Sequence, residues 1–162
     1  MTYFCIFCWF ESSEPFDFCP RCHRQVSELD QASYTERLIL SLQHPEAETR
    51  HRVAHILGMR RDIQAIPALA KITDETNDIF LLREIAWALG EMRVSDAIPT
   101  LRALLKNPSY LVRKEAVQAL GKLGGEQALQ ALGKACEDPT QSVRELAIEV
   151  LKNIEKKNTH PD

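Results

Sequence analysis

Four cysteines stand as two pairs near the start of this 162-residue chain, Cys5-x-x-Cys8 and Cys19-x-x-Cys22, with ten residues between the pairs. That spacing lets two tight turns face each other and offer four sulfurs to one tetrahedral ion. Four thiolates close the coordination shell and leave no position for a water nucleophile, so the expected ion is structural, zinc with iron as the alternative. A pair of disulfides is disfavoured by the pairwise C-x-x-C spacing and by a reducing compartment. A segment of about 25 residues buries too little apolar surface to fold unaided, and structural zinc typically supplies ~10–16 kcal/mol. Phe4, Phe7, Trp9, Phe16 and Phe18 are expected to pack around the ion, and His23, next to Cys22, is expected to be an exposed residue because the four sulfurs already complete the ligand set.

The stretches Cys5-Ile-Phe-Cys8-Trp-Phe and Phe18-Cys19-Pro-Arg-Cys22 resemble the knuckles of the zinc-ribbon and rubredoxin-like families over about 22 residues. The resemblance implies zinc or iron. The spacer is shorter than in rubredoxin-like chains and no glycine follows either second cysteine, which disfavours iron-based electron transfer.

Composition divides the chain around this head. Seven of the eleven aromatics (Tyr3, Phe4, Phe7, Trp9, Phe10, Phe16 and Phe18) lie in the first 22 residues, so a ribbon module over 1–28 is set apart from the remainder of the chain. The formal charge is −3, or −5 with four thiolates and a divalent ion, which gives no electrostatic prompt toward DNA or RNA. Apolar residues make up 44% of the chain, enough for a core, and nowhere do about 18 of them run together. No membrane span is expected, and the chain reads as cytoplasmic.

Beyond residue 33 the sequence repeats with spacings of 32, 31 and 31, marked by Gly58, Gly90, Gly121 and, in the fourth copy, Lys152. The copies begin at Arg50, Leu82, Arg113 and Arg144, and each places apolar residues three, four, six and seven positions on, as in Val53, Ala54, Ile56 and Leu57. Such a stripe is one face of a helix and must meet another helix. Shorter apolar patterns upstream (Ala65-Ile-Pro-Ala-Leu69, Ala97-Ile-Pro-Thr-Leu101, Ala128-Leu-Gln-Ala-Leu132 and a degenerate copy near Tyr34–Leu42) supply the partners. The turns between them read His44-Pro45, Asn107-Pro108 and Asp138-Pro139, a capping side chain ahead of a proline; His44 is the poorer capping residue, and copy two has no proline and its arginine, Arg83, one place late.

The patterns A-I-P-x-L, D-P-x-x-x-V-R and A-x-x-A-L-G resemble the short HEAT-like repeats of phycobilisome lyases over about 125 residues. The resemblance implies an all-α fold, a right-handed α-solenoid of four helix pairs (about 33–59, 62–92, 95–123 and 125–156) behind the metal-binding ribbon, with a tail over 157–162. It also implies that Arg50, Arg113 and Arg144 bind acidic groups or carbonyls of the preceding repeat. Cys136 falls at an apolar position and reads as an inert buried thiol.

The second and sixth positions of each copy lie opposite the buried stripe and form a ladder: His51 and His55, Arg83 and Trp87, Lys114 and Gln118, Glu145 and Glu149. HEAT-like arrays line their concave side with this helix set, so these eight residues are the expected partner-binding face. Trp87 and Arg83 are its expected anchors, since a large aromatic facing outward has no packing role in an isolated array unless the ribbon or another chain covers it. No nucleophile elbow, phosphate loop or paired-carboxylate pattern appears. Deoxyhypusine hydroxylases share helical repeats but carry His-Glu pairs for two iron ions, and none of the five histidines here is followed by glutamate. The sequence alone therefore reads as a non-catalytic protein-binding adaptor or scaffold, not an enzyme. The alternatives are a nucleic-acid-associated accessory factor, with nucleic acid a less favoured partner than protein, and a bilin-lyase-like enzyme or chaperone subunit.

Overall fold

A computed structural model describes residues 2–26 and 32–159, with side chains to 156. The expected end of the ribbon at 28 and the last three residues of the expected tail lie outside the described residues. The head holds a minimal antiparallel hairpin, β1 (Tyr3–Phe4) against β2 (Glu11–Ser12), and a lone bridge between Phe18 and Gln25. Eight helices follow among the described residues: α1 (Tyr34–Ser41), α2 (Ala47–Arg60), α3 (Ile66–Glu75), α4 (Ile79–Met92), α5 (Ile98–Leu104), α6 (Tyr110–Leu123), α7 (Gly125–Ala135) and α8 (Gln141–Thr159). They pair as α1/α2, α3/α4, α5/α6 and α7/α8, an all-α solenoid.

The two layers of this solenoid pack unequally. Helices α2, α4, α6 and α8 lie against one another along their length, whereas α3, α5 and α7 barely touch. The repeating glycine explains the asymmetry. A Cβ on Gly58 would stand 2.7 Å from the Cα of Ala88, one on Gly90 2.9 Å from the Cα of Ala119, and one on Gly121 2.5 Å from a methyl of Val150. Glycine inside a helix lowers its stability by roughly 0.5–1 kcal/mol relative to alanine, so its recurrence in the first three copies reflects the close approach of the next inner helix, by backbone at Gly58 and Gly90 and by the Val150 side chain at Gly121. Lys152 holds the equivalent place in the fourth copy, and it is exposed. The core is the apolar stripe of each inner helix, such as Leu81, Ile85 and Leu89 in α4, closed from the other side by Leu69, Leu101 and Leu132 of the outer helices.

The turns within each pair share one device. His44 Nδ1, Thr76 Oγ1, Asn107 Oδ1 and Asp138 Oδ1, spaced 32, 31 and 31 apart, each accept the backbone N–H two residues on, at 3.1, 3.1, 2.9 and 2.8 Å. His44 therefore makes the same bond as the asparagine and aspartate, at greater length, and Thr76 fills the position in the copy that lacks proline. Arg50, Arg113 and Arg144 then clasp the same turns, each Nη1 donating to the carbonyls at 44 and 45, 107 and 108, or 138 and 139 over 2.7–3.0 Å. The acidic partner comes from the following repeat, where the resemblance implied the preceding one: Arg113 donates from Nε and Nη2 to Asp138 at 2.7 and 2.9 Å.

Arg113 and Asp138 are both buried, and they hold each other charged: the hydrogen bonds from Arg113 keep the Asp138 carboxyl below the usual carboxylate range against the opposing effect of burial. Removing one member strands the other. Arg113→Met is expected to lower unfolding stability by on the order of 3 kcal/mol at neutral pH. Because the folded pKa of Asp138 is depressed, its contribution is complete above the unfolded value of about 3.9 and is lost as pH falls through the folded one. Urea unfolding of the wild type between pH 5 and 2 should therefore lose stability that the variant never had, and the two curves should converge at the acid end. Gly90→Ala should also lower stability, by about 1–3 kcal/mol from overpacking against the Ala119 backbone, although alanine favours helix; an unfolding midpoint at or above the wild type's would contradict the close-approach account.

Candidate functional site

Two constellations stand apart from the packing. In the head, Cys5, Cys8, Cys19 and Cys22 bring their sulfurs within 4.8 Å of one another, with Cys5 to Cys22 at 3.6 Å and Cys8 to Cys19 at 3.5 Å. Four sulfurs about 2.3 Å from a central ion would be separated by about 3.8 Å at tetrahedral angles, so the cluster has the dimensions of a metal site. The two halves are built alike. Cys5 N–H is donated to the Phe10 carbonyl and Cys19 N–H to that of Arg24, both at 2.9 Å; Trp9 and His23 close each turn onto the carbonyls of Cys5 and Cys19.

Trp9 and His23, each directly after a second cysteine, sit at φ 56° and 59°. The absence of glycine at these places does not prevent the turn; it makes two bulky residues take the left-handed region instead. At Cys19, burial pushes the thiol up, but hydrogen bonds from the backbone N–H groups of Cys22 and Arg21 and from the neighbouring thiols outweigh it and bring it to about 6. Burial and the neighbouring thiols push Cys5 and Cys8 the other way, Cys8 to about 12, so without an ion the proton is shared unevenly among the sulfurs. His23 is exposed, as the sequence implied. The aromatic packing is less complete than expected, since Phe4 and Phe18 point outward. Trp9 instead leaves the head and meets the His44 ring edge-on at 4.2 Å, in the first turn of the solenoid.

The second constellation is a groove of about 410 Å³ on the inner helices, lined by His51, His55, Phe80, Arg83, Glu84, Trp87 and Glu115. Four of the eight ladder residues converge there. Lys114 and Gln118, and farther along Glu145 and Glu149, lie outside it, with Glu145 accepting from Gln141 at 2.7 Å. His51 Nε2 pairs with Asp78 at 2.9 Å and His55 Nδ1 with Glu84 at 2.7 Å. Among the described residues the only cluster with metal-ligand spacing is the cysteine one.

Trp87 does have a packing role within the array. The His55 ring stacks on it at 4.5 Å and 7°, its edge lies where a Gly58 side chain would be, and Lys122 stands 5.8 Å from its centre while pairing with Glu91. Arg83 follows from the slipped register of copy two. Leu82 occupies the place that arginine fills in the other copies and is buried there. The displaced guanidinium enters the groove, where Nε is buried without a hydrogen-bond partner and Nη2 is 4.0 Å from Glu115. Burial pushes the Glu115 carboxyl up; Arg83 and Lys122 pull it down and Glu84 adds to the rise, with a net upward result. Glu84, Glu115 and Phe80 escaped the ladder reading, although Arg52, Glu84 and Glu115, one place beyond the ladder's first rung, are polar in three of four copies.

Residues 78–152 match the HEAT repeats family profile. Among curated proteins, deoxyhypusine hydroxylase-B of Oryza sativa subsp. japonica is 34% identical over 125 residues, covering 75% of this chain and 41% of that protein. The deoxyhypusine hydroxylase of Danio rerio is 43% identical over 110 residues, 66% of this chain and 35% of that protein. Phycocyanobilin lyase subunit alpha of Nostoc sp. (strain PCC 7120) is 34% identical over 107 residues, 60% of this chain and 39% of that protein. The chain thus spans about two fifths of the length of these relatives. The solved complex of CpcE and CpcF of phycocyanin lyase from Nostoc sp. PCC7120 shares the fold, with a TM-score of 0.62 at 22% identity over 90% of this chain and 60% of that one. Residues 78–152 thus match HEAT repeats within an all-α solenoid, and the N-terminal four-cysteine cluster fits a metal knuckle.

These relatives correct two expectations. The reading as a non-catalytic adaptor and the reading as no enzyme both fall, because the matched proteins carry the names of enzymes, the deoxyhypusine hydroxylases among them. The reason is physical: the residues that define the repeat are those that stack helices, and they are alike whether the groove binds or catalyses. No helix among the described residues is long and apolar enough to cross a membrane.

His23→Gly relieves a left-handed strain without touching a sulfur. It is expected to leave metal affinity, measured by chelator competition, equal or up to about fivefold tighter, because the roughly 1–2 kcal/mol of left-handed strain it removes offsets the ~0.4–1 kcal/mol lost to a freer unfolded chain; His23→Val should weaken it, and equal affinity for both would refute the strained-turn account.

Proposed function

We propose that this chain is a subunit of a bilin-lyase-type enzyme whose inner groove holds the ligand and whose knuckle carries a structural zinc ion. The observation that carries the reading is Arg83: a guanidinium freed from the turn-clasping place, with a buried Nε that lacks a partner, beside a stacked ring pair and a carboxyl pushed up by burial. A buried unpaired donor is a standing invitation to an acceptor. Phycocyanobilin, a conjugated linear tetrapyrrole with carboxylate arms, offers that acceptor together with flat apolar surface for Phe80 and the open edge of the His55–Trp87 stack. The 34% identity to a phycocyanobilin lyase subunit supports this choice of enzyme class. The hydroxylase reading is second, because no histidine of the chain precedes a glutamate.

Each groove residue has a role in this reading. Arg83 anchors a ligand carboxylate through a charge-assisted hydrogen bond. Glu115, held in the acid form to higher pH than an ordinary carboxyl, can donate a proton to a bound ligand. Glu84 fixes the His55 ring, and with it the face of Trp87. Zinc is chosen for the knuckle because four thiolates make a closed site suited to a redox-inert ion. It holds the head in shape so that Trp9 can rest on His44.

Titration with phycocyanobilin, followed by the change in its visible absorption, tests the groove. Saturable binding is expected, weakened at least roughly tenfold in Arg83→Leu, in line with a charge-assisted bond of about 1.5–3 kcal/mol. Affinity should also fall as pH rises through the raised pKa of Glu115, because its carboxylate then competes for Arg83; Glu115→Gln should bind without that pH dependence. Absence of saturable binding would overturn the reading. Metal analysis is expected to find one zinc per chain and no visible absorption, and iron in its place would overturn the assignment of the ion.

A further inference from the structure

The close packing of the inner helices leaves the outer ones splayed, and between α5 and α7 the splay opens a trough of about 530 Å³ on the face away from the first groove. Its floor is apolar, with Ile98, Ala131 and Ala135. Its rim is cationic: Arg102, Lys106 and Lys134 are exposed, and none of them enters an ion pair among the described residues. The acid at one end, Asp138, is already committed to Arg113. Three unpaired cations around an apolar floor stand out on a chain whose formal charge is −3.

We propose that this trough docks an acidic peptide segment of a partner protein, seating an aliphatic side chain on the floor and carboxylates on the three cations. Charge complementarity selects the occupant. Single-stranded nucleic acid fits worse, because the lining offers no aromatic ring on which a base could stack. A bilayer surface fits worse too, because the apolar part is recessed between two helices and the cations stand above it. The proposal concerns the opposite layer from the ligand groove and does not depend on the enzyme reading.

The test uses a fluorescein-labelled peptide of alternating glutamate, aspartate and leucine, with anisotropy measured on the full chain at low salt and at about 0.3 M salt. Saturable binding is expected, weakened at least roughly tenfold by the added salt, by Lys106→Glu with Lys134→Glu, and by Ala103→Trp, which fills the trough. Arg83→Leu should leave it unchanged. The helical circular dichroism signal and unfolding midpoint of each variant show whether it is folded, and if Ala103→Trp is not, the charge reversals, which are exposed, decide alone. No saturable binding, or binding indifferent to the charge reversals, would overturn the proposal. So would displacement of the peptide by phosphatidylserine vesicles or by a single-stranded oligonucleotide at lower concentration than unlabelled peptide.

Discussion

The close approach of neighbouring inner helices, backbone to backbone at Gly58 with Ala88 and Gly90 with Ala119 and backbone to side chain at Gly121 with Val150, sets the spacing of the solenoid. Helices in the inner layer come close enough that one methyl group would not fit, while the helices outside them are held apart by the Leu-rich core between the layers. Two different recesses arise from that inequality. The inner face is narrow enough for side chains of three successive helices to meet in one groove. The outer face is open enough for a trough to form between α5 and α7. Replacing the glycines would therefore act on both sites through the spacing of helices and not through any contact with a ligand.

Within this frame the second repeat is the irregular one, and its irregularity builds the groove. The other three copies use arginine to clasp the turn ahead of the inner helix. Copy two secures its turn with Thr76 and the N-cap of Asp78, whose carboxylate also accepts from His51, so no arginine is needed there. Leu82 fills the vacated place in the core and Arg83 faces the groove. One residue's shift in register along a helix is about 100°, enough to move a side chain from a structural network to a ligand-facing position. A repeat protein can acquire chemistry in this way without altering its stacking.

Much of this architecture was legible in the residues, because the features that specify it are periodic. The glycine spacing, the apolar stripe and the arginine recurrence each report a local rule obeyed several times over. The cysteine pairs were equally legible, since ligand spacing is itself a local property. The groove was only half legible: the ladder located His51, His55, Arg83 and Trp87, but it assumed that one rung per turn faces outward. Glu84 and Glu115 enter because residues from three inner helices meet in the groove, and that meeting is a property of packed helices that no single helix states. The packing of Trp87 was missed for a related reason. Trp87 looked unpartnered in a one-dimensional count, yet its partners, His55 and Gly58, sit in the previous repeat.

The claim on which the functional account turns is that the displaced Arg83 is the anchor of a ligand. A crystal structure of the chain with phycocyanobilin bound addresses it most directly. The account predicts a carboxylate of the ligand within hydrogen-bonding distance of Arg83 Nε, with its conjugated body along Phe80 and the Trp87 edge. A ligand seated elsewhere on the solenoid, with the Arg83 guanidinium unengaged, would contradict it.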